Sequence, residues 1–265
     1  MGRVTLSHLK QHRANDTRFS MVTAYDACFS AVASEAGIDT LLVGDSLGMV
    51  LQGHDSTLPV TVDDIAYHTA CVAAASPHSF IVSDMPFMAA ATTQDAVHSA
   101  RALMQAGAHA VKIEGAANLV DLVRLFKDQG AATCCHLGLT PQFVNQFGGY
   151  KVQGRTNEAA KRLIEAAHRL DEAGTDLLLL ECVPNRVTEQ IMDATQVPVI
   201  GIGAGPACTG QVLVMHDLLG ITPGKPARFV KNFMQGADSI QSAFSAYDRA
   251  VKDGTFPASE HCFVD

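Results

Sequence analysis

Apolar residues along this chain come in short runs, and one recurring phrase organises them. A helix-compatible segment ends in Gly, a few polar residues follow, then an apolar run, then an acid. It reads EAGIDTLLVGDS, QAGAHAVKIEG and EAGTDLLLLEC. Gly37 stands eight residues before Asp45, while Gly107 and Gly174 each stand seven before Glu114 and Glu181. A fourth version, DQGAATCCHLG, places His136 six residues after Gly130. Gly just past a helix takes the left-handed conformation, and a near-continuous apolar run after it suits a strand covered on both faces.

Between these phrases the spacing is helical. Leu119, Leu122, Val123 and Phe126 precede Gly130, and Leu163, Ile164, Ala167 and Leu170 precede Gly174. Thr61-Val-Asp-Asp64 and Thr92-Thr-Gln-Asp95 resemble capping boxes that open two more helices. Strands are expected near 20–26, 40–45, 80–86, 110–115, 131–137, 176–181, 198–203 and 212–217. Strands alternating with helices imply a parallel α/β architecture. The strand number and the lack of a break where a sheet would reverse favour a (β/α)₈ TIM barrel, one domain over 1–265. The segment 138–155, GLTPQFVNQFGGYKVQGR, is too long and Gly-rich for a plain connection and reads as a binding loop or lid.

Composition narrows the partners. With 265 residues, 48% hydrophobic and 17% charged, the chain can bury one large core. Its net charge of -8, with no basic stripe, argues against nucleic acid. Seven scattered cysteines, odd in number and without CxxC spacing, suit reduced thiols rather than disulfides or a zinc site. No apolar run approaches a membrane span, and the opening MGRVTLSHLKQHRAND has no apolar signal region. A soluble, cytoplasmic protein is expected.

The chemistry lies at the strand ends. In such folds the active site faces the C-terminal ends of the strands. Read that way, Asp45, Asp84, Glu114, His136 and Glu181 converge on one mouth, and Lys112 shares the inward face with Glu114, two residues on. A lone acid at a strand end is usually a helix cap. Several buried together are costly unless cations balance them. Asp45, Asp84 and Glu114 bring three negative charges and Lys112 one positive, so a divalent ion would neutralise the group. An all-oxygen donor set points to Mg²⁺. Glu181, farther round the barrel, is placed to be a general base, and His136 to orient substrate, shuttle a proton or simply line the barrel. Asp26 and His216-Asp217, at the ends of the first and last strands, read as structural. The GIGAG at 201–205 is GxGxG and not a dinucleotide fingerprint; its small residues are expected to leave room for a ligand.

VGDSLGMVLQGHDSTLPVTVDDIAYHT (43–69), SDMPFM (83–88), VKIEG (111–115), HLGLTPQ (136–142), FGGYKVQGR (147–155), LECVP (180–184), VIGIGAG (199–205) and the closing FPASEHCF (256–263) closely resemble the ketopantoate hydroxymethyltransferase family over nearly the whole chain. The resemblance implies one-carbon transfer from 5,10-methylenetetrahydrofolate to 3-methyl-2-oxobutanoate, giving 2-dehydropantoate for pantothenate and coenzyme A. Carried over by motif, Asp45 and Asp84 are Mg²⁺ ligands, with Glu114 a third contributor. Asp45, Ser46, Asp84 and Lys112 contact the 2-oxo acid, and Glu181 is the proton acceptor. It also implies a homo-oligomer, a decamer. The alternative is another Mg²⁺-dependent 2-oxo-acid lyase or aldolase on the same barrel. One departure is visible: after GIGAG the family pattern runs on to Asp-Gly-Gln, whereas this chain has Thr209 in the Asp position.

Overall fold

A computed structural model of the chain describes residues 2–264. Among them, eight parallel strands close on themselves: β1 (Phe19–Thr23), β2 (Thr40–Val43), β3 (Phe80–Asp84), β4 (Ala110–Glu114), β5 (Thr133–Gly138), β6 (Leu177–Glu181), β7 (Val199–Ile202) and β8 (Gly210–Leu213), with β8 pairing back onto β1. Helices cross over the outside between successive strands, except that residues 203–209 join β7 to β8 without a helix; the barrel expected from the alternation is present. The glycines of the recurring phrase behave as the pattern requires: Gly37, Gly107, Gly130 and Gly174 have φ of 97°, 117°, 76° and 97°. Thr61 and Asp64 form the reciprocal capping box, while Thr92 caps through its side chain onto the Asp95 N–H.

Two apolar layers hold the fold. The outer one lies between barrel and helices and includes Val22, Leu41, Ile81, Ile113, Leu137, Leu178 and Val199. The inner one fills the barrel with Phe19, Met21, Phe80, Val82, Cys134, Leu177, Leu179, Ile200 and Val212. Leu9, from the helix Leu6–Ala14, joins this inner layer. Strand alternation explains the division, since successive side chains point to opposite faces.

The last strand departs from the expected 212–217. It runs Gly210–Leu213, and the chain then turns into the helix Met215–Leu218, which carries His216 and Asp217. Phe19 pairs with Gly210, and a Cβ at Gly210 would lie 2.6 Å from the Phe19 ring. The Thr23 hydroxyl accepts from the Met215 N–H at 2.8 Å, drawing the backbone out of the strand. Both contacts join distant parts of the chain. The segment 138–155 also carries more order than a loop, a turn at Pro141–Phe143 and a helical turn at Val144–Phe147.

Leu9 is wholly buried. Leu9→Ala is expected to cost about 2–5 kcal/mol by lost burial and an unfilled cavity. Thermal or denaturant unfolding measures this, and the chemistry at the opposite end should be untouched.

Candidate active site

The C-terminal ends of the strands surround a cavity of about 160 Å³ whose wall includes Asp45, Asp84, Lys112, Glu114, His136 and Glu181. Register explains the convergence: Asp84 pairs with Lys112, Glu114 with His136, and Gly138 with Glu181. Paired residues of parallel strands face the same side, so these side chains project inward at neighbouring heights. Gly138 admits this closeness, because a Cβ there would sit 2.3 Å from the Glu181 carbonyl oxygen. Ser46 lines the same cavity and shares a 2.9 Å hydrogen bond with the Tyr25 hydroxyl.

The Lys112 ammonium lies 2.9 Å from Asp84 Oδ1 and 3.8 Å from Glu114 Oε1. Burial opposes its charge, but Asp84, Glu114 and Asp45 outweigh burial and hold it charged well above the ordinary lysine range. The carboxylates respond in the opposite sense. Burial, then the charges of Asp84 and Glu114, push Asp45 well up. Burial raises Glu114 to about 7 against the pull of Lys112. Burial also raises Glu181, whose side chain nevertheless keeps 17% of its surface and so stays reachable from the cavity. His136 sits between two acids, Nδ1 3.3 Å from Glu114 Oε1 and Nε2 3.4 Å from Glu181 Oε2. Neither approach is aligned as a hydrogen bond, and burial followed by Lys112 lowers the pKa of the imidazole.

Glu114 Oε1 and both His136 nitrogens are buried without a hydrogen-bond partner, and Asp84 Oδ1 has only the Lys112 ammonium. Asp84 Oδ2 accepts from the Asp45 N–H at 2.9 Å, and Glu114 Oε2 from the Gln142 N–H at 2.9 Å. Asp84 therefore has one oxygen on a neutral donor and one against the Lys112 ammonium, and Glu114 has one oxygen on a neutral donor and one without a hydrogen bond. A cavity with several carboxylates, one ammonium and an orphaned oxygen suits a divalent cation together with a small anion. Among the described residues no three His, Cys, Asp or Glu side chains already close around a common point. Mg²⁺ sites often use one or two carboxylates and complete the shell with water and substrate, so the donor set fits Mg²⁺.

Other expected positions fall differently. Asp26 caps the helix Ala27–Glu35, accepting from the Phe29 N–H at 2.9 Å. Asp217 reaches the cavity wall from its helix rather than from a strand end. The glycines of 201–205 do not leave room for a ligand: a Cβ at Gly203 would meet Phe229 and Phe263, and one at Gly205 would meet Asn185. The space is used for packing, with Phe229 reaching on to the cavity wall. Thr209 precedes β8 at the opposite end of the barrel, where its hydroxyl accepts from the Val199 N–H at 3.4 Å and its carbonyl from the Phe19 N–H. The departure from the family pattern is therefore remote from the cavity. Gln142 is the residue that spacing alone did not reveal. Its amide nitrogen donates to Asp45 Oδ2 at 2.8 Å and to the Met85 carbonyl at 2.9 Å. Its signals in the sequence were the unusual length of the segment that carries it and its place at the end of HLGLTPQ, neither of which gave it a role.

Fold and cavity together define an enzyme of the (β/α)₈ class with an acidic site at the C-terminal mouth. The family model for ketopantoate hydroxymethyltransferase matches residues 3–259. The chain is 57% identical to 3-methyl-2-oxobutanoate hydroxymethyltransferase of Chromohalobacter salexigens over 99% of this chain and 100% of the relative. It is 54% identical to that of Alcanivorax borkumensis over 98% and 99% respectively. This chain belongs to the ketopantoate hydroxymethyltransferase family, transferases of pantothenate biosynthesis. Among solved structures, phosphoenolpyruvate phosphomutase from Streptomyces platensis subsp. rosaceus superposes with a TM-score of 0.61 at 14% identity, covering 94% of this chain and 88% of that one, a likeness of fold. Among the described residues no helix is long and apolar enough to cross a membrane.

Lys112 is the one Lys or Arg among the described residues lining the cavity. Lys112→Met leaves buried carboxylates uncompensated and is expected to cost about 3–5 kcal/mol. Without the ammonium the carboxylates bind protons more readily when folded, so the deficit should shrink as pH falls. Thermal unfolding of both proteins across a pH series reads both effects.

Proposed function

We propose that this site transfers a hydroxymethyl group from 5,10-methylenetetrahydrofolate to 3-methyl-2-oxobutanoate, forming 2-dehydropantoate through an enolate. The observation that carries the reading is Glu181, a buried carboxylate with an exposed edge on a cavity that also holds Lys112, Asp84 and Asp45. Asp45 and Asp84 would hold Mg²⁺, with Glu114 contributing through water. The chemistry that Mg²⁺ supplies when bound is Lewis-acid polarisation of the 2-oxo group, which acidifies the neighbouring C3–H.

The chain's own residues do the rest. Lys112, Asp84, Asp45 and Ser46 receive the polar end of the 2-oxo acid, and Lys112 offsets its charge. Leu42, Leu179, Ile202 and Val212 form the apolar side of the cavity and take the branched alkyl group. Glu181 removes the C3 proton, for which burial has raised its basicity. His136 lies between Glu181 and Glu114, its Nε2 3.4 Å from Glu181 Oε2, and borders the base without a hydrogen bond to it. The enolate carbon then bonds to the methylene carbon of the folate, and both C–N bonds of that carbon break. Water supplies the hydroxyl oxygen, and tetrahydrofolate leaves carrying the C3 proton and one proton of the water. A Schiff base at Lys112 is disfavoured, since that route needs a neutral amine and three acids keep this one charged. A lyase or aldolase without folate finds no support in relatives matched over their full length. Assembly as a homo-decamer in the cytoplasm belongs to the same proposal, and sedimentation analysis would measure the assembly.

Exchange of the C3 proton of 3-methyl-2-oxobutanoate in D₂O, with Mg²⁺ and without folate, isolates the first half-reaction. Glu181→Gln should abolish it while Mg²⁺ affinity is kept; an equal loss of affinity would make Glu181 a ligand instead. In the unaltered protein the base must be ionised, so exchange should fall on the acid side at a higher pH than an ordinary glutamate would give. Asp84→Ala should weaken metal and substrate binding together.

Ile202 pairs with Glu181 across the sheet. A methylene in an apolar pocket is worth about 10–200-fold in selectivity. Ile202→Ala should therefore narrow the preference for 3-methyl-2-oxobutanoate over 3-methyl-2-oxopentanoate by about tenfold, read from kcat/KM for the two acids.

A further inference from the structure

Gln142 joins three strand ends without lying on any strand. It follows Pro141, whose ring has no N–H to donate, so the first free donor of the turn Pro141–Phe143 is the Gln142 N–H, which goes to Glu114 Oε2 at 2.9 Å. Its side-chain nitrogen donates to Asp45 Oδ2 at 2.8 Å, after β2, and to the Met85 carbonyl at 2.9 Å, after β3. Both partners of that nitrogen only accept, which fixes which end of the amide lies there. Met85 is held in turn by its own N–H on the Lys112 carbonyl at 2.8 Å. One residue thus touches two of the three carboxylates assigned to Mg²⁺ and the backbone next to the third.

Its position is also a partition. A side cleft of about 420 Å³ runs beside the central cavity, lined by Met85, Phe87, Phe143 and Gln142 itself. Glu114 borders both spaces. A neutral amide is the right chemistry for such a post. A lysine there would compete with a cation for Asp45, and a glutamate would add another buried negative charge. An amide orients the carboxylates and leaves their charge for the ligand.

We propose that Gln142 is the positioning residue of the metal-binding carboxylates, clamping one oxygen of Asp45 and one of Glu114 so that the second oxygen of each is presented to the cavity. The inference rests on the Mg²⁺ reading above and extends it to a residue on the 138–155 segment. It couples that segment to the metal site, because moving Gln142 releases two carboxylates at once. The backbone contact to Glu114 survives substitution, so a side-chain variant tests the hold on Asp45.

The test is calorimetric titration of the intact protein with Mg²⁺ in the presence of 3-methyl-2-oxobutanoate, comparing wild type, Gln142→Met and Gln142→Ala. Gln146→Met serves as control, since Gln146 lines the side cleft from the same segment. Outer residues that orient metal ligands are typically worth about 10–100-fold in affinity, and that loss is expected in both Gln142 variants. Gln146→Met should bind as wild type. In turnover assays the Gln142 variants should need more Mg²⁺ for half-maximal rate and recover most of the wild-type kcat when Mg²⁺ is saturating. Wild-type affinity in either folded Gln142 variant would overturn the inference, as would an equal loss in Gln146→Met, which would indicate a general disturbance of the segment. Absence of Mg²⁺ binding by wild type would instead remove the metal reading, and this inference with it.

Discussion

Asp45, Asp84, Glu114 and Glu181 share the mouth of this barrel with a single ammonium, and the organisation of the site follows from that imbalance. Lys112 lies against Asp84 and within reach of Glu114, and three acids keep it charged. It cannot neutralise all of them. Burial therefore pushes Asp45, Glu114 and Glu181 towards their protonated forms. Such a site accepts positive charge readily, and it gains most from a ligand set that brings a cation and an anion together. Uncompensated charge of this kind would be destabilising in an ordinary core, and here it is confined to one end of a rigid scaffold.

The scaffold tolerates it because the stabilising layers lie elsewhere. Below the acids the barrel is filled by Phe19, Met21, Phe80, Val82 and their neighbours, joined by Leu9 from the N-terminal helix. Outside, a second apolar layer binds the strands to the helices. The acids occupy only the last inward positions of β3, β4 and β6 and the turn after β2. Short parallel strands in fixed register keep them at set distances, and Gln142 adds a cross-brace from a segment that packs over the rim. Stability and chemistry are divided between the two ends of the barrel, as in other enzymes of this architecture. Thr209, where the chain departs from the family pattern, falls at the stabilising end.

Much of this was legible in the sequence. Strand alternation put Lys112 and Glu114 on one face, and the repeated Gly-to-acid spacing brought Asp45, Glu114 and Glu181 to equivalent strand ends, because both are properties of a few consecutive residues. Charge arithmetic then pointed to a divalent ion, and the motifs named the family. The end of β8, the filling of the space beside Gly203 by Phe229 and Phe263, and the role of Gln142 were not legible. Each depends on a side chain supplied from far along the chain, by Thr23, by the C-terminal segment or by the long segment after β5.

Local physics in the sequence by itself thus determined the alternation of strands and helices, the inward face of each strand and the identity of the acids. Only the tertiary structure decided how those acids are paired: which oxygen faces Lys112, which is held by a backbone N–H, and which is left without a partner. The reason is that the periodicity of a strand is an intrachain property, whereas the distance between two strand ends is set by barrel closure and register. The imbalance of charge can be counted in the sequence, but where it is relieved depends on that closure.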